Sequence, residues 1–260
     1  MQIYLDNSRT LVTGGSSGIG AALSRCFAAA GARVAINYRS QPRAAFALAD
    51  ELRSAGGEAL CVQADVSDPR AVAAMFARLD ETWGGIDVLV NNAGVDGARE
   101  RLWESDPRAW ARVIEVNLTG AYLCAREAVA RMVAQRSGVV LNTSSVHEII
   151  AWSGYSAYTA SKAGLSMLAK SLAQEVAPFG VRVLCLAPGA IRTPINAEVW
   201  RDAAQYRDLL SKIPLGRLGR PEEVAQLAVV LASDVAAYMT ATTVFVDGGM
   251  TAYPEFAHGG

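Results

Sequence analysis

The chain predicts a single α/β domain built on one doubly wound, seven-stranded parallel sheet. Three observations predict it. Short apolar runs rich in β-branched residues recur along the chain, amphipathic stretches separate them, and the first run ends in a glycine-rich loop that opens a helix. Parallel neighbours need crossover connections, so strands that alternate with helices imply a sheet covered on both faces. The 260 residues, 52% hydrophobic, suit one large core better than two small ones. No Pro/Ser-rich linker, charge block or internal repeat divides the chain, so one domain over residues 1–260 is expected.

In order, the runs are RTLVTGG (9–15), RVAINYR (33–39), ALCVQAD (59–65), IDVLVNNAG (86–94), GVVLNTSS (138–145), VRVLCLAPG (181–189) and TTVFVDGG (242–249). The first strand, Thr10 to Thr13, leads through Gly14-Gly15-Ser16-Ser17-Gly18-Ile19-Gly20 into a helix expected over Ala21 to Ala30. A late helix is signalled at Pro221-Glu222-Glu223 and runs to Ala232. The least regular stretch, Ile191 to Pro221, is a long insertion of the kind that forms lids or binding segments.

Several function classes are excluded at this level. A net charge of -1 and a pI near 6.2, with arginines scattered among acids, leave no basic field for nucleic acid or an anionic bilayer. Small molecules or further copies of the chain are the expected partners. Cys26, Cys61, Cys124 and Cys185 form no C-x-x-C pair and stand among apolar neighbours, as buried thiols of a reducing compartment do, and no metal site is expected. The start, MQIYLDN, lacks a basic and apolar leader, and no run of about 18 apolar residues follows, so a soluble cytoplasmic protein is expected.

The glycine-rich loop stands between a strand and a helix, the setting in which such a loop binds a dinucleotide. Glycines let the backbone approach a pyrophosphate whose charge meets the helix N-terminus, which makes the fold Rossmann-like. An ATP loop of the Walker type would need Gly-Lys-Ser/Thr where Gly18-Ile19-Gly20 stands. After the second strand the chain reads Asn37-Tyr38-Arg39-Ser40, without the acid that takes a ribose 2′-hydroxyl. Arg39 therefore argues for the 2′-phosphate of NADP, or is simply solvated. Asp65-Val66 either frames an adenine or, with Asp68 and Pro69 close by, Asp65 caps a helix. In YSAYTASKAG (155–164) a helix puts Lys162 one turn above Tyr158 and nearly two above Tyr155. An ammonium there would draw the phenol pKa down from about 10 and make a general base; an ordinary helix with a buried-edge tyrosine is the other reading of this stretch.

TGGSSGIG at 13–20, NNAG at 91–94, Asn117 in VNLTG, the serines 144–145, Y-x-x-x-K at 158–162 and PG at 188–189 occur in an order that resembles the short-chain dehydrogenase/reductase family over essentially the whole chain. The family's spacing of serine to tyrosine selects Ser145 with Tyr158 and excludes Tyr155, whose partner would fall on Asn142. The resemblance implies that Tyr158 exchanges a proton with the substrate oxygen while hydride moves between the substrate carbon and a nicotinamide ring. It implies that Lys162 lowers the tyrosine pKa and holds the nicotinamide ribose, and that Ser145 stabilises the reacting oxygen. Asn117 would hold a water passing protons from Lys162, or satisfy helix carbonyls as a buried asparagine. NADP or NAD would lie along Gly14, Ser16, Ser17, Gly18, Ile19, Gly20, Arg39, Asp65, Val66, Asn91, Ala93, Gly94, Tyr158, Lys162, Pro188, Gly189, Ile191 and Thr193. A homotetramer is implied as well, for which TTVFVDGG and the helix Glu222 to Ala232 offer a self-complementary surface.

SSVHE at 144–148 with Trp152, PGAIRTPINAE at 188–198 and DGGMTAYPEF at 247–256 are further similar to the bacillus-type glucose 1-dehydrogenases, a branch using NAD or NADP. This likeness implies substrate contacts at Asp96, Ser145, His147, Tyr155, Tyr158 and Asn196, with Tyr155 as a pocket wall and the tail Ala252 to Gly260 reaching a substrate site. The alternatives are that His147 is a polar loop residue, Asn196 a helix cap and the tail a stabilising contact. Asp96 stands where that branch usually has glutamate, Ser153-Gly154-Tyr155 replaces a more apolar run, and Ala252 replaces a glutamine. The expected activity is oxidation of an aldose at its anomeric hydroxyl to a lactone. The alternatives are an NADPH-dependent reductase of carbonyls or 3-oxoacyl thioesters and, in another class, a non-catalytic dinucleotide sensor, which need not keep Ser145, Tyr158 and Lys162 at working spacing.

Overall fold

The computed structural model describes residues 3–193 and 202–252. All seven expected strands are present: β1 (Arg9–Val12), β2 (Arg33–Tyr38), β3 (Ala59–Gln63), β4 (Val88–Asn91), β5 (Gly138–Thr143), β6 (Val181–Pro188) and β7 (Thr243–Val246). They form one parallel sheet in the order β3-β2-β1-β4-β5-β6-β7. Eight helices are described: α1 (Gly18–Ala29), α2 (Pro42–Ser54), α3 (Pro69–Trp83), α4 (Pro107–Ile114), α5 (Gly120–Gln135), α6 (Ser156–Val176), α7 (Ala203–Ser211) and α8 (Pro221–Ala232).

The period-2 alternation of the strands divides the core in two. Val12, Ile36, Val88, Val90, Leu141 and Leu184 pack with Phe27 of α1, Leu48 of α2 and Val224 of α8 on one face. Leu11, Ala35, Leu89, Val140 and Val183 pack with Phe76 of α3, Met132 of α5 and Ala173 of α6 on the other. Prolines occupy the first turns of α2, α3, α4 and α8, where a missing N–H costs nothing. The Asp68 side chain caps α3 by accepting from Arg70 N, so the alternative of Asp65 as the cap is corrected. α1 starts at Gly18, earlier than expected, because the last residues of the loop already wind as its first turn.

From β3 at one edge the chain returns to β4 beside β1, with Val12 level with Val90. The loops leaving β1 and β4 therefore diverge and open a crevice at the carboxyl ends of the strands. The insertion after β6 is not wholly irregular, since α7 lies in it, N-capped by Asp202. Its base is closed by Arg192 N to Gly219 O at 2.9 Å and Gly219 N to Ala190 O at 2.9 Å. Asn196 and the tail residues Tyr253, Pro254 and Phe256 lie outside the described residues. All four cysteines are free thiols; Cys124 and Cys185 are buried as expected, while Cys26 and Cys61 are half-buried. No described helix is long and apolar enough to cross a membrane.

Candidate active site

The crevice is a cleft of about 1200 Å³ that runs from the loop after β1, past the ends of β4 and β5, to the first turns of α6 and the base of the insertion. Its floor at one end is the Gly14–Gly20 loop. Gly14 and Gly18 adopt φ of +59° and +50°, and a Cβ on Gly20 would collide with the Gly14 carbonyl. Among the described residues no side chain caps the N-terminus of α1, and no acid stands in its first turn, so its positive end faces the cleft. That cradle fits a pyrophosphate. Three residues that motif reasoning passed over hold it. Asn37 accepts from Gly14 N at 3.2 Å and donates to Val62 O and Ala64 O; Thr13 Oγ1 accepts from Asn92 N at 2.9 Å and Ala93 N at 3.0 Å; Asn92 Nδ2 donates to Thr13 O at 3.0 Å.

Ser16, Ser17, Ile19, Ala93, Gly94, Pro188, Gly189, Ile191 and Thr193 all border the cleft, as expected. Asn91 does not. Its amide turns inward, donating to Ala121 O at 3.1 Å and Asn142 Oδ1 at 3.0 Å, because the last residue of β4 alternates toward α5; Asn92 is the asparagine that faces the cleft. Arg39 is exposed at the cleft rim, and among the described residues its guanidinium has no ion pair. Val66 borders the cleft beside Asp65. Asp65 accepts from Ser67 N at 3.0 Å, Ser67 Oγ at 2.7 Å and Arg112 Nη2 at 2.7 Å. Against the cost of burial, those donors hold its carboxyl down at about 2.

At the other end, β5 delivers Ser145 and α6 delivers Tyr158 and Lys162. The Ser145 hydroxyl stands close enough to the Tyr158 phenol to favour its ionised form, and it accepts from His147 N at 3.2 Å. Lys162 Nζ donates to Thr143 O at 2.8 Å and lies 5.6 Å from the centre of the Tyr158 ring. Burial works against the lowering of the tyrosine pKa expected from the lysine. Burial pushes the phenol up to about 12, with the Ser145 hydroxyl opposing and the Asp96 charge adding to the rise, and burial pushes Lys162 down to about 8. At neutral pH the phenol keeps its proton and the lysine its charge. Asn117 sits in a π-wound turn, Glu115–Thr119, between α4 and α5. Its side chain pairs with both backbone groups of Val95, at 2.8 and 2.9 Å, and with Ser161 Oγ at 3.1 Å. It satisfies a loop, not helix carbonyls, and both amide hydrogens are spent, so this amide donates nothing to a water.

The wall beyond Tyr158 is aromatic. His147 stacks on Trp152 with ring centres 4.4 Å apart, and Trp152 stacks on Tyr155 at 3.9 Å. Trp152 borders the cleft, whereas Tyr155 lies behind it, which corrects its placement as the wall. His147 Nδ1 meets Ile150 O at 3.0 Å, and burial lowers the ring pKa, so the neutral ring carries its proton on Nδ1 and leaves Nε2 an acceptor. Asp96 borders the cleft as well, without a hydrogen-bond partner among the described residues; burial raises its pKa while Lys162 and His147 lower it. Ile149, Ile150, Leu209 and Met250 complete an apolar surround. An oxygen placed between Ser145 and Tyr158 would meet two hydroxyl donors, with polar groups on one side and a flat apolar face on the other.

A family model described as enoyl-(acyl carrier protein) reductase matches residues 14–251. The chain is 47% identical to a 3beta-hydroxysteroid dehydrogenase 1 of Eggerthella lenta over 98% of both chains. It is 39% identical to glucose 1-dehydrogenase 2 of Bacillus subtilis over 96% of this chain and 97% of that one. Among solved structures, a gluconate 5-dehydrogenase from Burkholderia cenocepacia in complex with NADP and tartrate superposes with a TM-score of 0.92 at 35% identity, covering 96% of this chain and 98% of that one.

Proposed function

Because the chain belongs to the short-chain dehydrogenase/reductase family and is thus an oxidoreductase of CH–OH groups, we propose that it interconverts a ring-borne secondary alcohol and its carbonyl form with NAD(P), the aldose anomeric hydroxyl being the first such group to test. One observation carries the reading: the Ser145–Tyr158–Lys162 cluster stands where a glycine-cradled cleft meets the Asp96, His147 and Trp152 walls. When bound, a nicotinamide cofactor accepts or donates the hydride and, oxidised, brings a positive ring charge that favours the Tyr158 phenolate. Gly14 to Gly20 and the α1 amides would hold its pyrophosphate, and Arg39 a 2′-phosphate, which favours NADP.

Tyr158 moves a proton at the substrate oxygen, and Ser145 donates to that oxygen as charge grows on it. Lys162, anchored by Thr143 O, keeps a positive charge beside the phenol and replenishes its proton. Asp96 and His147 Nε2 accept hydrogen bonds from further hydroxyls, a preference for uncharged, hydroxyl-rich rings that Asp96 strengthens by repelling anions. The Trp152 face takes the ring's C–H side. The open apolar surround, with Ile149 63% exposed, supports a second reading in which the ring is a larger, flatter hydroxysteroid. An NADPH-dependent carbonyl or 3-oxoacyl reductase uses the same groups in reverse, and the neutral phenol suits proton donation. For assembly, exposed Tyr122 on α5, Met167 on α6 and Tyr238 before the half-exposed β7 support a homotetramer.

The experiment is a panel of aldoses, a hydroxysteroid and a 3-oxoacyl thioester assayed with NAD, NADP and NADPH by the absorbance of the reduced cofactor, with light scattering for the oligomer. Turnover confined to the thioester would replace the ring-alcohol reading. Cofactor binding without turnover of any carbonyl or alcohol would leave a sensor.

A further inference from the structure

We propose that Arg112 is the positioning residue of the adenine end of the cleft, where it turns the Asp65 carboxylate into a single-acceptor reader of a purine amino group. The inference rests on the reading above that the cleft takes a dinucleotide. Arg112 borders the cleft from α4, and Asp65 from the loop after β3. They are 47 residues apart in sequence and joined by an ion pair of 2.7 Å in which both side chains remain about one-third exposed.

The hydrogen-bond arithmetic gives this pair its role. An ionised carboxylate offers about four lone-pair sites. Ser67 N and Ser67 Oγ take two on Oδ1, and Arg112 Nη2 takes one on Oδ2. One acceptor site is left, on a group that borders the cleft. The bonds also close into a ring, because Arg112 Nη1 donates to Ser67 Oγ at 2.5 Å while that hydroxyl donates to Asp65. A two-point contact of this kind fixes the plane of the carboxylate as well as its charge. Glu115, at 3.6 Å from Nη1, lies beyond hydrogen-bond reach and does not compete for the fork.

A carboxylate with one fixed acceptor site matches the amino group of a 6-aminopurine and opposes the carbonyl of a 6-oxopurine, which would set two acceptors face to face. Without Arg112, Asp65 keeps only its turn with Ser67 and is free to rotate, so the discrimination should fall even if the fold persists. A role confined to clipping α4 to the end of β3 would instead weaken both purines alike.

The test is fluorescence titration of NADPH and its hypoxanthine counterpart onto the wild-type protein, Arg112→Met and Arg112→Lys, with thermal midpoints measured alongside. The wild type should prefer the adenine form by about tenfold or more, the worth of a charge-assisted hydrogen bond. Arg112→Met should bring that ratio to near one, mainly by weakening the adenine form, and Arg112→Lys should fall between. An unchanged ratio in Arg112→Met, or an equal loss for both purines, overturns the proposal. If Arg112→Met does not fold, Arg112→Lys alone decides it, by an intermediate or an unchanged ratio. A wild type that binds neither NADPH nor NADH sinks the cofactor reading and this inference together; if only NADH binds, it and its hypoxanthine counterpart take the place of the NADPH pair, and binding of both purine forms without preference sinks only this inference.

Discussion

The two ends of the cleft differ in how far their polar groups are already committed. At the nucleotide end, Thr13, Asn37 and Asn92 tie the glycine loop to β2, β3 and β4, and Asp65, Ser67 and Arg112 bond one another. At the substrate end, among the described residues, Asp96 has no hydrogen-bond partner and His147 uses one ring nitrogen, and Trp152 is 38% exposed. The first arrangement is preorganised and loses little freedom on binding an invariant ligand; the second leaves its acceptors for whatever ring is presented. A fold can therefore keep its cofactor site while changing substrate through a few loop side chains. Cys124 and Cys185, which burial pushes up to about 12, take no part at either end.

The sharpest way to separate the ends is Tyr158→Phe. Turnover should fall by about 10²- to 10⁴-fold, the usual worth of a positioned acid-base group, while calorimetric cofactor affinity stays within about twofold. Tyr155→Phe, behind Trp152, should change either quantity by less than about threefold. If Tyr155→Phe were the inactive variant, the site would be misassigned.

Gly20→Ala attacks the opposite end. The added methyl meets the Gly14 carbonyl, so the loop must shift, and cofactor affinity should drop by about 100-fold with a loss of roughly 1–3 kcal/mol in stability. Substrate selectivity measured at saturating cofactor should survive; a variant binding cofactor normally would show that the cradle is not needed. Arg39→Asp should lower the NADP-to-NAD ratio of kcat/KM by tens of fold, on the order of 2 kcal/mol of lost phosphate attraction, and an unchanged ratio would remove Arg39 from the site.

Asp96→Asn probes the uncommitted end more gently. It should raise KM for a hydroxyl-rich ring about threefold and improve kcat/KM for an anionic analogue by a similar factor, with cofactor affinity constant. Equal effects on neutral and anionic substrates would refute charge selection. The smallest expected change is thermodynamic. Lys162 has a folded pKa of about 8, below its ordinary value of 10.5, so its burial disfavours the folded state fully below pH 8. That penalty is relieved as the pH rises from 8 toward 10.5. Lys162→Met should abolish turnover yet raise the thermal midpoint at pH 7 by about 2–4 °C, with the gain shrinking over that window. A gain independent of pH would contradict a buried charge.

The sequence by itself determined what depends on neighbours along the chain. Apolar alternation marks all seven strands, the strand-to-glycine-to-helix order marks the cradle, and a single helical turn places Lys162 over Tyr158. Only the tertiary structure decided which of Asn91 and Asn92 faces the cleft, that Trp152 and not Tyr155 forms its wall, and that Arg112 reaches Asp65. It also set burial against the expected lowering of the tyrosine pKa, since burial raises the phenol and lowers Lys162 together. The physical reason is common to all of these. Which side chain turns inward, which partner from a distant strand or helix it meets, and how much water it loses are settled only when the sheet and its helices close around them.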